Sequence, residues 1–414
     1  MNVKRLKVRN IGPIKDVDIN LNKLNVFIGP QGSGKSTLAK IISFCTWLEK
    51  INDATARAVV DGLIDRLVSF HRMQGFFNED SSILYVGENV AFAYNYDEEI
   101  PLSSRFRSSN AEHLHNKELV FYSVSKVENP KVVYIPAERN FVSVVPNLKN
   151  YAENNDNLQS FVNDWFDAKR HYNESNSLPV INLGLNYYYN AESDRDVLVL
   201  NQKKMISLGA SASGFQSIVP MSVLVNWMST GLYKENKPFS PAENQRIRDM
   251  LAHLSGSTVE LEKQLIERVR GFIQGKVYTH TQFIIEEPEQ NLFPKTQVDF
   301  LYYLLGAVNH GRNHRLVITT HSPFILYALN NCLLAYVVKD KIDEEIALSL
   351  DCQNYAVDPT TVSVWSLKDG FLCDESGEHN RTIQDKRGLI RKNYFNEVMR
   401  QVMGDFSKLL EYDD

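Results

Sequence analysis

The sequence predicts an α/β fold: a mixed sheet flanked by helices, with a helical lobe and α+β insertions. Three observations predict it. At "LNVFIGPQGSGKSTLAKII" an apolar run enters a glycine loop and leaves as a helix. At "QFIIEEPE", "TQVDFLYYLLGAVN" and "RLVITTHS" a strand, a helix and a second strand succeed one another. Between 82 and 135 the texture is short β segments broken by polar turns.

Each element follows in order. Residues 3–9, 14–21 and 24–28 read as strands, and a helix should run from Lys35 to about Glu49. Residues 53–75 look helical, with Val59, Leu63, Leu67 and Phe70 at 3–4 spacing. "ILYVG", "VAFAYNY", "LVFYSV" and "VVYIP" read as strands, and "LQSFVNDWFDAKRHY" as an amphipathic helix in an Asn-rich stretch. "LGLNYYYNA" and "DVLVLNQKKMISLG" look like a hairpin. They lead into an apolar helix, "ASASGFQSIVPMSVLVNWM", where Pro220 should kink or offset the first turn. Further helices should run to about 274, and the last seventy residues read as strands and one charged helix. We therefore expect a nucleotide lobe from 1–50 and 265–345, an inserted α+β region at 51–205, a helical lobe at 206–264, and a partner-contacting segment at 346–414.

Composition sets limits. Of 414 residues, 43% are hydrophobic and 23% charged, which is ordinary for a globular protein. The net charge of -5 means that DNA or RNA, as a further partner class, would need a local basic patch. Cys45, Cys332, Cys352 and Cys373 form no C-x-x-C pair, which argues against a zinc site or a disulfide framework and fits a cytoplasmic setting. The opening "MNVKRLKVRNIG" alternates like a strand and lacks the apolar core of a signal peptide. No apolar run is long enough for a bilayer, so no membrane partner is expected.

The chemistry-bearing residues begin in the glycine loop. Gly29, Gly34, Lys35 and Ser36 satisfy G-x-x-x-x-G-K-[ST]. Such a loop turns backbone N–H groups inward around phosphates, and the helix N-terminus adds the positive end of its dipole. Gly29, Pro30, Gln31, Gly32, Ser33, Gly34, Lys35, Ser36 and Thr37 are the expected ATP contacts. Lys35 would reach the β- and γ-phosphates and Ser36 would bind Mg²⁺. A second acidic site should end a neighbouring strand, and "FIIEEPEQNLFP" supplies it. Glu286 would hold Mg²⁺ and Glu287 would orient and deprotonate the attacking water, because adjacent strand residues point to opposite sides. His321 closes another apolar strand and can donate to the γ-phosphate from the side opposite Lys35. The Ser-Gly pair in "ASASGFQS" opens a helix and is a weaker backbone anion site.

Taken in this order, the four elements resemble those of the ATP-binding-cassette ATPases. The likeness is to the SMC-like branch that includes the OLD (overcoming-lysogenization-defect) nucleases and the ATPase subunits of Septu-type phage-defence systems. Gly29 to Ser36 match Walker A, "ASGFQ" at 212–216 the signature loop, "FIIEEPEQNLFP" Walker B with its D-loop, and "TTHSP" the switch-histidine loop. "VVYIPAER" and "VWSLKDGFLCDES" are less specific matches. The resemblance implies a P-loop NTPase of ABC/SMC-like type that pairs head to tail as a homodimer or higher oligomer. Ser213, Gly214 and Gln216 of one copy would then close over ATP held by Lys35 of the other. Glutamate at 286, where many cassettes carry aspartate, is frequent in the OLD-like group. The glutamine-loop position falls at the end of "VVYIPAER", with Glu138 and Arg139 as candidate contacts. No heptad arm is present. Asp340 and Asp343 form no Asp-x-Asp pair of a TOPRIM nuclease. A nuclease or toxin effector is therefore expected as a separate protein of the same operon.

Other signals are weaker. His310 and His314 read as a polar connector, and the histidines at 113–117 and 378–381 lack a partner acid cluster. Lys386, Arg387, Arg391 and Lys392 read as a solvated helix end. Two further functions stay open: an SMC-like repair or recombination ATPase acting on DNA, and a nucleotide-gated sensor with little turnover. A transporter cassette fits less well, given the large inserts.

Overall fold

The computed structural model describes residues 4–50, 62–96, 128–145, 148, 156–200, 204–234 and 278–413, with the strand pieces 100–101, 113–114 and 118–121. The expected helices over 235–274, and the start of the one over 53–75, lie outside the described residues. In chain order, β1 (Lys4–Ile11), β2 (Ile14–Leu21) and β3 (Leu24–Ile28) lead into α1 (Lys35–Leu48), then α2 (Leu63–Phe70). Next come β4 (Ser82–Val86), β5 (Val90–Tyr94), β6 (Ile100–Pro101), β7 (His113–Leu114), β8 (Glu118–Phe121) and β9 (Pro130–Ile135). They are followed by α3 (Phe141–Val144), α4 (Asn157–Lys169), β10 (Leu178–Pro179), β11 (Leu185–Asn190), β12 (Arg195–Leu200), β13 (Met205–Ser207) and α5 (Ser213–Ser229). The remainder is β14 (His280–Glu286), α6 (Pro294–Asn309), β15 (Arg315–Thr319), α7 (Pro323–Val338), α8 (Glu344–Ser349), β16 (Val362–Lys368), β17 (Phe371–Leu372) and α9 (Tyr394–Leu410).

One mixed sheet of 11 strands carries the molecule, in the order β8-β5-β4-β1-β2-β17-β16-β3-β15-β14-β9. β16, β3, β15, β14 and β9 run parallel to one another, and β8, β5, β4, β1 and β2 are antiparallel. The pleat sorts the parallel strands between two cores. Leu24, Val26 and Ile28 of β3 enter one core while Phe27 enters the other. Phe283 and Ile285 of β14 part from Ile284 in the same way. Burial on both faces explains why these strands read as unbroken apolar runs.

The sheet crosses the expected lobe boundaries. β4, β5, β8 and β9 come from the region expected as an insertion, and β16 from the expected partner segment. β9 pairs with β14 from His280 opposite Pro130, and β16 with β3 from Val362 opposite Leu24. Pairings between such distant segments leave no mark in local periodicity. Among the described residues, the antiparallel set β10-β11-β12-β13 and the two-stranded pair β6-β7 stand apart from the main sheet.

Two helices differ from expectation. α7 was not anticipated after "TTHSP"; its buried residues include Ile325, Leu326, Ala328, Leu329, Cys332 and Leu333, and it carries no charged residue, so no polar stripe announces it. α5 runs through Pro220 from Ser213 to Ser229. Proline has no N–H to give the Gln216 carbonyl four residues back, and the Ser143 hydroxyl donates to it instead at 3.0 Å. Among the described residues no helix is long and apolar enough to cross a membrane.

Candidate functional site

β3, between β16 and β15 in the parallel half, delivers the glycine loop. Two glycines are required by geometry. A Cβ on Gly29 (φ 149°) would stand 2.1 Å from the Leu367 carbonyl oxygen, and Gly34 takes a left-handed φ of 105° immediately before α1. α1 opens with no side-chain cap and no acidic residue in its first turn, so its first N–H groups remain for an anion. Gln31 and Gly32 are exposed, Pro30, Ser33 and Ser36 half-buried, and Thr37 buried. Lys35 is 5% exposed, and its Nζ donates to the carbonyls of Gly29 (2.9 Å) and Pro30 (2.8 Å). Burial lowers its pKa, opposed by the carboxylates of Glu287 and Glu289.

β14 brings the acids. Glu286 ends the strand buried, accepting a 2.6 Å bond from the Tyr134 hydroxyl and another from Ser36. Burial raises its pKa; the bonds from Tyr134 and Ser36 and the charge of Lys40 hold it down, while Glu138 pushes it up. Glu287 lies beyond the strand in a left-handed turn, φ 44°. That turn, rather than strand alternation, gives the two carboxylates their different surroundings. The Glu287 N–H donates to the Thr319 carbonyl, 2.8 Å. Its carboxylate is about one-third exposed, 3.5 Å from His321 Nε2, and the imidazole's hydrogen bond holds its pKa below the usual carboxylate value.

β15 presents His321 and a partner that sequence reasoning missed. The Glu289 carboxylate accepts from the Thr320 hydroxyl (2.8 Å) and from the His321 backbone N–H. It fixes the loop that carries the imidazole. Ser322 then caps α7 by accepting from the N–H groups of Phe324 and Ile325. The third glutamate of "EEPE" was visible in the sequence, but nothing local distinguished it from a solvated acid.

The candidate contact at Arg139 is corrected by its surroundings. It is 0% exposed, and its guanidinium donates to the carbonyls of Pro136 (3.3 Å), Glu286 (2.8 Å) and Glu287 (2.7 Å) and to the Ser217 hydroxyl (3.1 Å). Its donors are spent on protein groups, so it braces the acidic turn against α5 rather than touching a nucleotide. Glu138 is exposed near Glu286.

Lys35, Ser36, Glu286, Glu287 and His321 thus converge at the ends of β3, β14 and β15. The signature residues lie elsewhere. Ser213 is exposed, and the atom facing a Cβ on Gly214 is the Asn291 carbonyl oxygen at 3.0 Å. Gln216 Nε2 donates to the carbonyls of Gly209 and Ser211, both at 3.0 Å, so its amide shapes the turn. His314 is 0% exposed: its Nδ1 accepts from the Thr281 N–H, and its Nε2 faces the Ser229 carbonyl at 3.0 Å. It ties β14 and β15 to α5, a structural role where a polar connector was expected.

A family model described as an AAA ATPase domain matches residues 1–265. The chain belongs to the AAA ATPase domain family. No curated protein matches. Among solved structures, the SMC head domain from Thermotoga maritima is 12% identical, covering 79% of this chain and 92% of that one at a TM-score of 0.35. A dimeric ATP-binding cassette in a post-hydrolysis state, bound to ADP and Pi, is also 12% identical, covering 91% and 99% at a TM-score of 0.27. At such scores neither likeness carries an argument for this AAA ATPase.

The donor set suits a magnesium nucleotide. A hydroxyl and one buried carboxylate are hard oxygen ligands, and Mg²⁺ commonly takes only one or two protein ligands beside phosphate and water. Among the described residues there is no cluster of three or more His, Cys, Asp or Glu that would hold a metal without phosphate. The unsatisfied N–H groups at the start of α1 match an anion placed above Lys35.

Proposed function

We propose that this AAA ATPase binds Mg–ATP at the glycine loop and hydrolyses it between two copies of the chain, and that the cycle controls a separate effector in anti-phage defence. The observation that carries the catalytic part is the meeting of Lys35, Ser36, Glu286, Glu287 and His321 at three parallel strand ends. Lys35 exchanges the carbonyls of Gly29 and Pro30 for phosphate oxygens, and the N–H groups of the loop and the start of α1, from Gln31 to Thr37, orient the phosphates. Ser36 and Glu286 would hold Mg²⁺, which would supply charge neutralisation during transfer. Glu287, its pKa held below the usual carboxylate value by the His321 hydrogen bond against the opposing effect of burial, orients the attacking water and takes its proton. His321, its backbone held by Glu289, donates to the γ-phosphate.

Ser213 and Gly214 are exposed or half-exposed, which suits closure over ATP held by a second copy. α9 contributes no buried side chain and exposes Met399, Val402, Phe406 and Leu409, which supports the 346–414 segment as the effector contact. The defence role rests on the OLD- and Septu-like motif set.

The test is Glu287→Gln. Phosphate release should fall by about 100-fold or more, while sedimentation should show an ATP-dependent dimer that outlasts the parent's. Equal release by parent and variant would exclude hydrolysis at this site and leave the sensor reading. Purification beside the operon neighbours should bring down a second polypeptide, and its absence would remove the effector role. Hydrolysis stimulated by DNA would favour the repair alternative.

A further inference from the structure

A second concave site lies at the far end of α1, independent of the glycine loop. α1, α2, α4 and the edge strand β9 enclose a cleft of about 260 Å³. Trp47 is 12 residues along α1 from Lys35, or about 18 Å at helical rise. Lys50, Arg66 and Lys131 line the cleft, and among the described residues no carboxylate does. Asp164 takes the charge of Lys131 through a 2.6 Å ion pair. The other two cations rest on aromatic faces: Lys50 Nζ is 5.2 Å from the Tyr278 ring centroid, and the Arg66 guanidinium 4.2 Å from that of Trp47. Cation–π contact holds such groups without cancelling their charge.

A buried polar atom adds the second mark of a ligand. His71 lines the cleft, is 1% exposed, and leaves its Nδ1 without a hydrogen-bond partner. Burial keeps the ring neutral, with its pKa pushed down to about 3. Buried polar atoms are nearly always paired, so the unpaired Nδ1 of this wall residue leaves a hydrogen bond for a ligand to complete.

We infer that this cleft binds a phosphomonoester no larger than a mononucleotide, its phosphate between Lys50 and Arg66 and a hydroxyl or ring atom on His71. Lys50, Arg66 and Lys131 stand against the one carboxylate of Asp164, which acts on both lysines, so the cleft keeps a net positive charge that matches a phosphate dianion; its volume falls just short of the usual range for small-molecule sites. Tyr134 lines the cleft and donates to Glu286, giving a bound ligand a direct line to the metal-side acid.

The test uses full-length protein carrying Lys35→Ala, so that the glycine loop and the catalytic proposal do not enter. Calorimetric titration with inorganic phosphate, AMP and UMP should give saturable binding of at least one, at a dissociation constant below about a millimolar. Lys50→Ala and Arg66→Ala, each added to that background, should weaken it by about tenfold or more, and Arg66→Lys should retain most of it. Unfolding midpoints equal to the parent's establish that the variants are folded. No saturable binding of any probe, or binding unchanged in both alanine variants, overturns the inference.

Discussion

The two halves of the main sheet use charge in opposite ways. In the parallel half, β3, β14 and β15 are buried along their length, and charge appears where they end, at Lys35, Glu286, Glu287 and His321. In the antiparallel half, charge lies along the strands. Arg5 of β1 binds Asp18 of β2 at 2.6 Å, and Arg9 faces Asp16 at 3.2 Å, all four side chains partly exposed. A strand covered on both faces has nowhere to place a charge except its tip, whereas a half-solvated antiparallel pair can carry charge on its open face. Concentrated charge at strand ends is therefore the signature of the site, and charge spread along strands that of surface.

Three substitutions sharpen that contrast. The largest effect is expected from Arg139→Met. It strips the carbonyls of Glu286 and Glu287 of their buried donor and should cost roughly 3 kcal/mol or more in urea unfolding. Phosphate release should fall with it as the left-handed turn at Glu287 relaxes; a variant of parental stability would show that the brace is dispensable.

The next effect is expected from His314, on the same parallel half. Burial lowers its pKa to about 4 from 6.5. Below pH 6.5 the unfolded chain takes up a proton that the folded chain refuses. Stability should therefore decline as pH falls from 6.5 towards 4, by about 3 kcal/mol from this group. His314→Gln should flatten the unfolding free energy measured across that window; an unchanged slope would assign it to other groups.

The smallest change is expected in the antiparallel half. Arg5→Ala should cost less than about 1 kcal/mol, an effect that fades with added salt, and should leave phosphate release unaltered. A large loss of activity would erase the distinction between the halves.

The same contrast explains what could be read in advance. Gly29 to Ser36 were legible because their requirements lie within a dozen residues: a strand, a turn with left-handed backbone, a helix start. Glu286, Glu287 and His321 were legible because each follows an apolar run. Tyr134 and Glu289 were not singled out, and the bracing contacts of Arg139 were not foreseen. Tyr134 matters because β9 lies beside β14, Glu289 because the β14 and β15 loops meet, and Arg139 because α5 packs beneath both. α7 escaped notice because its exposed face carries Phe324, Tyr327 and Leu334, so it lacks the polar stripe from which amphipathic helices are recognised.

Chain order was enough to specify the glycine loop, the strands that end in acid and imidazole, and the α/β class, since each depends on side-chain pattern and backbone preference over one element. The strand order that draws β9 and β16 beside β14 and β3, the guanidinium that locks the acidic turn, and the cationic cleft behind α1 were settled by packing. They depend on register and burial between segments more than a hundred residues apart, which no local pattern encodes.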